Sequence, residues 1–286
     1  MAGGVVITHG LRSVYAKFGT ALRTVSAVEL GRQTITELVE RADLDPQRVD
    51  EVIVGCAGNP IDAANVARVI ALSANLPTSV SAVTVQRNCG SGLEAITAAV
   101  ERVRSGRARV VVAAGVESMS GYPLFFSAAA QRKFGALARA RTIGARLAAL
   151  SRFRPRDISP EIGLEVGLTD PVCGLNMGET AEVLAREFQI PRDTQDEFAL
   201  RSHMLATAAE EAGRFDAERI PIFLPPAYDE LIDMDVGPRA AQSMEAGRLL
   251  AVLGRYRESA IHFERAARMA PSNRNVAAAL EKIRER

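Results

Sequence analysis

Val83-Thr84-Val85-Gln86-Arg87-Asn88-Cys89-Gly90-Ser91-Gly92-Leu93-Glu94-Ala95-Ile96 reads as a short apolar strand, a tight Gly/Ser turn holding one cysteine, and the start of a helix. That order places a thiol at a helix N-terminus. Unpaired N–H groups and the helix dipole there stabilise a thiolate, the nucleophilic form. The alternative for an isolated cysteine is a small buried apolar residue.

On either side of this stretch the chain alternates strands with helices. Upstream, Val5 to Thr8 reads as a first strand. Ser26 with Glu29 forms a capping box that opens a helix. Ala27, Gly31, Ile35, Leu38, Val39 and Ala42 then recur at helical spacing, until Asp45-Pro46. Glu51 to Gly55 is a Val/Ile strand, a helix runs from about Ala63 to Ala74, and Val80 to Gln86 is the third strand. Downstream, the helix after Cys89 has a narrow polar stripe, Glu94, Thr97, Glu101 and Arg104, which predicts a largely buried helix. Ala108 to Gly115 is a continuous apolar run of the kind covered on both faces. The alternation predicts an α/β fold with helices layered on both sides of a parallel or mixed sheet.

After Ser120 the rhythm breaks. Gly121 to Asn176 is irregular and rich in arginine, too long for a structureless loop, and so reads as a subdomain or lid. Helices follow from Met177 to Phe188 and from Pro191 to about Ala212, then a short strand from Ile220 to Leu224 before Pro225-Pro226.

Composition narrows the function classes. The chain has 286 residues, 48% hydrophobic and 24% charged, with a net charge of +1. That is an ordinary globular mixture without the basic excess of a nucleic-acid footprint. No apolar run is long enough to span a bilayer, and the first residues lack a signal-peptide pattern. Cys56, Cys89 and Cys173 form no CxxC pair and no metal-ligand cluster, so the expectation is free thiols in a cytoplasmic protein with no metal.

At Cys89 the sequence resembles the acyl-enzyme cysteine motif of thiolases, the acetyl-CoA acetyltransferases and 3-ketoacyl-CoA thiolases. The resemblance covers nearly all of residues 5–246. Ala114-Gly115-Val116-Glu117-Ser118-Met119-Ser120 is similar to the family's signature after the fourth strand. Asn176-Met177-Gly178-Glu179-Thr180-Ala181-Glu182 is similar to its loop-domain helix start. Gln195 to His203, and Asp235-Val236-Gly237-Pro238-Arg239 continuing to Gln242-Ser243-Met244-Glu245, are also similar. Gln86 stands where the family usually has Asn.

The resemblance implies a thiolase-type layered αβα N-terminal domain, residues 1–120, lacking its last strand, and a loop domain at 121–246. It implies acyl transfer between coenzyme A thioesters, with Cys89 taking the acyl group and no covalently bound cofactor. Asn176 and Met177 would approach the acyl or pantetheine part of the substrate. Asn176 reads equally well as a helix N-cap. Met119 would be a wall or interface residue near the cavity, and Glu117 a turn residue with satisfied hydrogen bonds. Acyl-CoA and CoA are the implied ligands. The family's Gly-His-Pro and Cys-x-Gly motifs are not found: His9, His203 and His262 are not followed by Pro, and Cys56 and Cys173 lack the second motif. The expectation is therefore an enzyme incomplete as one chain, working as a homo-oligomer or with a complementing thiolase C-terminal chain. The alternative is an inactive thiolase-derived scaffold, or a truncation product.

Gly247 to Asn273 resembles most of one tetratricopeptide repeat, through Gly254, Tyr256, Glu258, Phe263, Ala266 and Pro271-Ser272-Asn273. Residues 247–286 are thus expected as a short helical tail. The scaffold alternative would act through this tail.

Overall fold

A computed structural model of the chain describes residues 4–235. The expected tetratricopeptide-like tail, its junction near Ala246 and residues 236–246 lie outside the described residues. Within them the elements are β1 (Arg12–Ser13), α1 (Ala27–Arg41), β2 (Glu51–Gly55), α2 (Val66–Ser73), β3 (Ser81–Val85), α3 (Ser91–Arg104) and β4 (Val111–Gly115). Then come β5 (Leu124–Phe125), α4 (Ala128–Arg139), α5 (Ile143–Leu150), β6 (Glu161–Ile162), α6 (Gly163–Leu168) and α7 (Met177–Glu187). The last are α8 (Arg192–Glu211), β7 (Arg219–Ile220), β8 (Ile222–Phe223) and β9 (Leu231–Ile232). Among the described residues, those up to Gly121 and those from Ile190 on form one unit, and Tyr122–Gln189 form another.

In the first unit, three parallel strands pair in the order β3-β2-β4, with Ile53 opposite both Val83 and Ala113. The chain steps from β2 to one side and then crosses to the other. Right-handed crossovers therefore place α2 and α3 on opposite faces. The period of two along β2 serves both layers. Val52 and Val54 join Ile35, Val39, Val66, Ile70 and Val112 in one core under α1 and α2. Ile53, also fully buried, and Gly55 point the other way, toward α3. Each fully buried valine or isoleucine contributes roughly 1.5–3 kcal/mol relative to exposure, so this strand anchors the unit. Gly31 sets the α1–α2 approach: a Cβ there would stand 2.4 Å from Ile70 Cδ1.

The expected α1 cap is half a box. Ser26 Oγ accepts from the Glu29 N–H at 3.1 Å, but the Glu29 carboxylate turns to Arg32 and Gln33 instead. A second small core, Val14, Val25, Leu30, Ile220 and Ile222, is closed by the β1–β7 pair. Beside it Arg12 bonds Glu218 and Asp235, while Arg219 bonds Glu210 and Asp216. In the Arg12–Asp235 and Arg219–Glu210 pairs both members are largely withdrawn from water, so removing either would strand its partner.

Two sequence expectations are corrected here. Val5–Thr8 is not a strand; Val6 and Ile7 are 75% and 77% exposed, and pairing begins at Arg12 opposite Arg219. Among the described residues no strand lies beside residues 5–8 to hold them. Nor is α3 largely buried. Ala95 and Ser91 are, but Leu93 is 67% and Ile96 40% exposed. One face of α3 packs on β2 and β4, and no described residue covers the other.

The irregular segment is organised after all. β5 and β6 form an antiparallel pair, Leu124 opposite Ile162, and α4 packs against α5. Phe134 stacks between Phe126 and Phe153, with centroids 5.2 and 4.9 Å away. No helix among the described residues is long and apolar enough to cross a membrane.

Candidate active site around Cys89

Cys89 sits in the turn between β3 and α3, exposed, while Cys56 is buried at the end of β2. The turn is built by its neighbours. Asn88 adopts a left-handed conformation, φ +46°, which Asn tolerates better than most residues. The Gly90 N–H reaches the Arg87 carbonyl at 2.9 Å, and Gly90 is the N-cap of α3. Ser91 is buried, and its hydroxyl clamps the turn: it accepts from the Arg87 N–H at 2.8 Å and donates to the Asn88 carbonyl at 2.6 Å. Cys89 is thereby presented at the helix start with both flanking residues fixed.

The turn is tied to the strand ends beneath it. A Cβ on Gly55 would meet the Ser91 carbonyl oxygen at 2.1 Å, and one on Gly115 would meet Gly92 Cα at 3.0 Å. Glycine at these positions lets the first turn of α3 rest directly on β2 and β4. On the open side, the Gln86 amide donates to the Ala57 carbonyl at 3.4 Å and to Asn88 Oδ1 at 3.2 Å. Glu117 Oε2 accepts from the Ala57 and Gly58 N–H groups at 2.9 and 3.3 Å. The amide of Gln86 and the carboxylate of Glu117 thus hold the 57–58 loop from either end. Arg87 and Glu94 form an ion pair at 3.0 Å over the first turn of α3.

Burial, and then the Glu117 charge, push the Cys56 thiol up to about 11. It is therefore a packed, protonated thiol, in contrast to the accessible Cys89.

The other sequence-derived residues fall as follows. Met119 opens a short 3-10 turn, Met119–Gly121, and is about half exposed. Asn176 is the N-cap of α7. Its Oδ1 accepts from the Glu179 N–H at 3.0 Å, and Glu179 Oε2 accepts from the Asn176 N–H at 2.8 Å. Met177, the first residue of α7, is exposed. Cys89 and Met119 belong to the first unit, Asn176 and Met177 to the second.

Ser91 and Asn88 were not singled out from sequence. The available signal was a Ser that follows an Asn by three residues between a strand and a helix, a spacing at which side-chain hydroxyls close turns.

Residues 5–253 match the family described as thiolase, N-terminal domain. The chain is 34% identical over 229 residues to a 3-ketoacyl-CoA thiolase of Photorhabdus laumondii, covering 80% of this chain and 52% of that protein. A 3-ketoacyl-CoA thiolase of Pseudoalteromonas translucida is 34% identical over 241 residues, with 84% and 54% covered. The crystal structure of a Bacillus anthracis acetyl-CoA acetyltransferase superposes with a TM-score of 0.66 at 37% identity, over 82% of this chain and 54% of that one. The chain spans about half the length of the relatives it matches.

Proposed function

This chain belongs to the thiolase family through its N-terminal domain, and we propose that it forms an acyl-enzyme on Cys89 from coenzyme A thioesters. The observation that carries the reading is the Cys89 turn: an exposed thiol at a helix start, fixed by Ser91 below it. The Cys89 sulfur attacks the thioester carbonyl and the carbon–sulfur bond to CoA breaks. Acyl-cysteine remains, and CoA leaves as its thiol with the proton Cys89 gave up. The Cys89 N–H, at the N-terminus of α3, is the donor we assign to the developing oxyanion. A cysteine nucleophile splits the transfer into two easier steps.

Asn176 and Met177 are assigned contact with the acyl or pantetheine part of a bound thioester, and Met119 a wall position. The second step needs a base. We assign it to the histidine of a thiolase C-terminal domain, whose Gly-His-Pro context does not occur in residues 1–286. Coenzyme A thioesters are the substrates, and no prosthetic group enters either step.

Intact-mass spectrometry of the protein incubated with acetyl-CoA and acetoacetyl-CoA tests this, with Cys89→Ala as control. An acyl adduct on the wild type and none on the variant is the expected result. No adduct on folded protein sinks independent acylation.

A further inference from the structure

The α4–α5 hairpin is built inside out. α5 turns its small face inward: Ala149 lines the seam with α4, together with Ala129, Ala136 and the stems of Arg132 and Lys133. Its large apolar residues point to solvent. Ile143, Leu147 and Leu150, spaced i, i+4 and i+7 and therefore on one face, are 79%, 63% and 51% exposed. From Ser127 to Arg156 the sequence carries eight Arg and Lys residues and no Asp or Glu. An exposed apolar stripe bordered by cations without acids is the pattern of a helix lying in a lipid–water interface.

We propose that the α4–α5 hairpin is a peripheral contact surface for an anionic phospholipid bilayer. The Ile143–Leu147–Leu150 stripe enters the headgroup boundary, and Arg139, Arg141, Arg146 and Arg152 meet lipid phosphates. Charge complementarity favours this occupant. A second copy of the chain would set cations against cations across a two-fold contact. A nucleic acid would leave the apolar stripe uncovered. The contact is superficial and needs no spanning segment. It stands independently of the acyl-transfer reading.

The test is co-sedimentation of the full chain with vesicles of phosphatidylcholine alone and of phosphatidylcholine mixed with phosphatidylglycerol. The expected result is pelleting on the mixed vesicles, on the order of tenfold above neutral ones, and lost at high salt. Leu147→Asp lowers it about tenfold or more. Arg141→Gln and Arg146→Gln each lower it about fivefold. All three positions are exposed, and circular dichroism verifies that the variants fold. Ile143→Ser is a second, milder variant on the same stripe. Absence of pelleting on anionic vesicles overturns the proposal, as does pelleting that Leu147→Asp and Ile143→Ser leave unchanged. Light scattering that shows an oligomer dissolved by Leu147→Asp, with no vesicle binding by wild type, also overturns it.

Discussion

In β2, Val52, Ile53 and Val54 are wholly withdrawn from water, whereas across Tyr122–Gln189 only Ala130, Asp157 and Gly163 are buried. The first region is held by apolar side chains layered on two faces of a sheet. The second is held by local polar devices: N-caps at Ser127, Thr142 and Asn176, and a hub at Asp157, which accepts from Lys133 Nζ and the Arg154 N–H. Hydrophobic burial is cooperative over a whole core. A cap or a buried carboxylate stabilises only the turn it touches. The two regions should therefore respond to mutation on different scales and over different ranges.

The widest separation comes from Ile53→Ala. It leaves a cavity between β2 and α3 and is expected to destabilise the protein by about 2–5 kcal/mol. The whole first unit should lose its transition together in a denaturant titration. If only a local change near α3 follows, the sheet is not the cooperative core argued here.

Alkaline pH probes the same core without mutation. The Cys56 thiol is held at about 11 by burial first and by the Glu117 charge second, against an ordinary value of 9.0. The folded state keeps this proton over a range in which the unfolded chain gives it up. Stability is therefore full below about pH 9 and falls as pH rises toward 11. Native protein treated with an alkylating agent at pH 8 should gain label on exposed Cys89 and Cys173, not on Cys56, which should react only after denaturation. Labelling of Cys56 in native protein would show that the end of β2 is open.

Ser91→Ala lies at the border between the two modes, since Ser91 is a buried hydroxyl at the site. It removes the acceptor of the Arg87 N–H and the donor to the Asn88 carbonyl. A loss of about 1–3 kcal/mol is expected, with a lower yield of acyl adduct than wild type at equal thioester. Unchanged acylation with the full stability loss would separate the turn's packing from its proposed chemistry.

How much of this was legible in the sequence follows the same division. β2 reads correctly to the residue because its Val/Ile run is bounded by Asp50 and Cys56, and its burial on both faces needs no alternation. The expected strand from Ala108 began early. The Asp50 carboxylate takes the Arg109 and Val110 N–H groups, so regular pairing starts only at Val111. The α3 helix was recognised, but its burial was not. A helix apolar around most of its circumference signals a need for cover, and the described residues cover one face. In the second unit, the lack of periodicity hid α4 to α6; the starts of α4 and α5 are set by single capping side chains, Ser127 and Thr142. At the site, the strand–turn–helix frame around Cys89 was legible. The left-handed Asn88 and the Ser91 clamp were not, because hydrogen bonds inside a turn leave no period.

Within the second unit, Asp157 should matter locally. The hydrogen bond from Lys133, and then that from the Arg154 N–H, hold its carboxyl below the usual range. Its stabilising effect is present above the ordinary carboxylate pKa and lost as pH falls through the lowered value. Amide exchange in α4 should quicken on acidification, or in Asp157→Asn at neutral pH, while β2 stays protected. Simultaneous loss of β2 protection would mean that the two units share one cooperative transition.

The smallest effect tests whether capping alone holds α7. Asn176 and Glu179 exchange side-chain and backbone bonds at its start, and none of Met177 to Glu187 is buried. A helix without a buried face has little besides its caps and its propensity, so the cap should carry an unusual share of its stability. Asn176→Ala is expected to cost about 1 kcal/mol, and Asn176→Gly only a few tenths. That ordering, read from amide exchange along α7, distinguishes a cap from a substrate contact. A capping role ranks Ala below Gly and leaves Cys89 acylation unchanged. If instead both variants depress acylation equally while α7 exchange stays put, Asn176 serves the thioester rather than the helix.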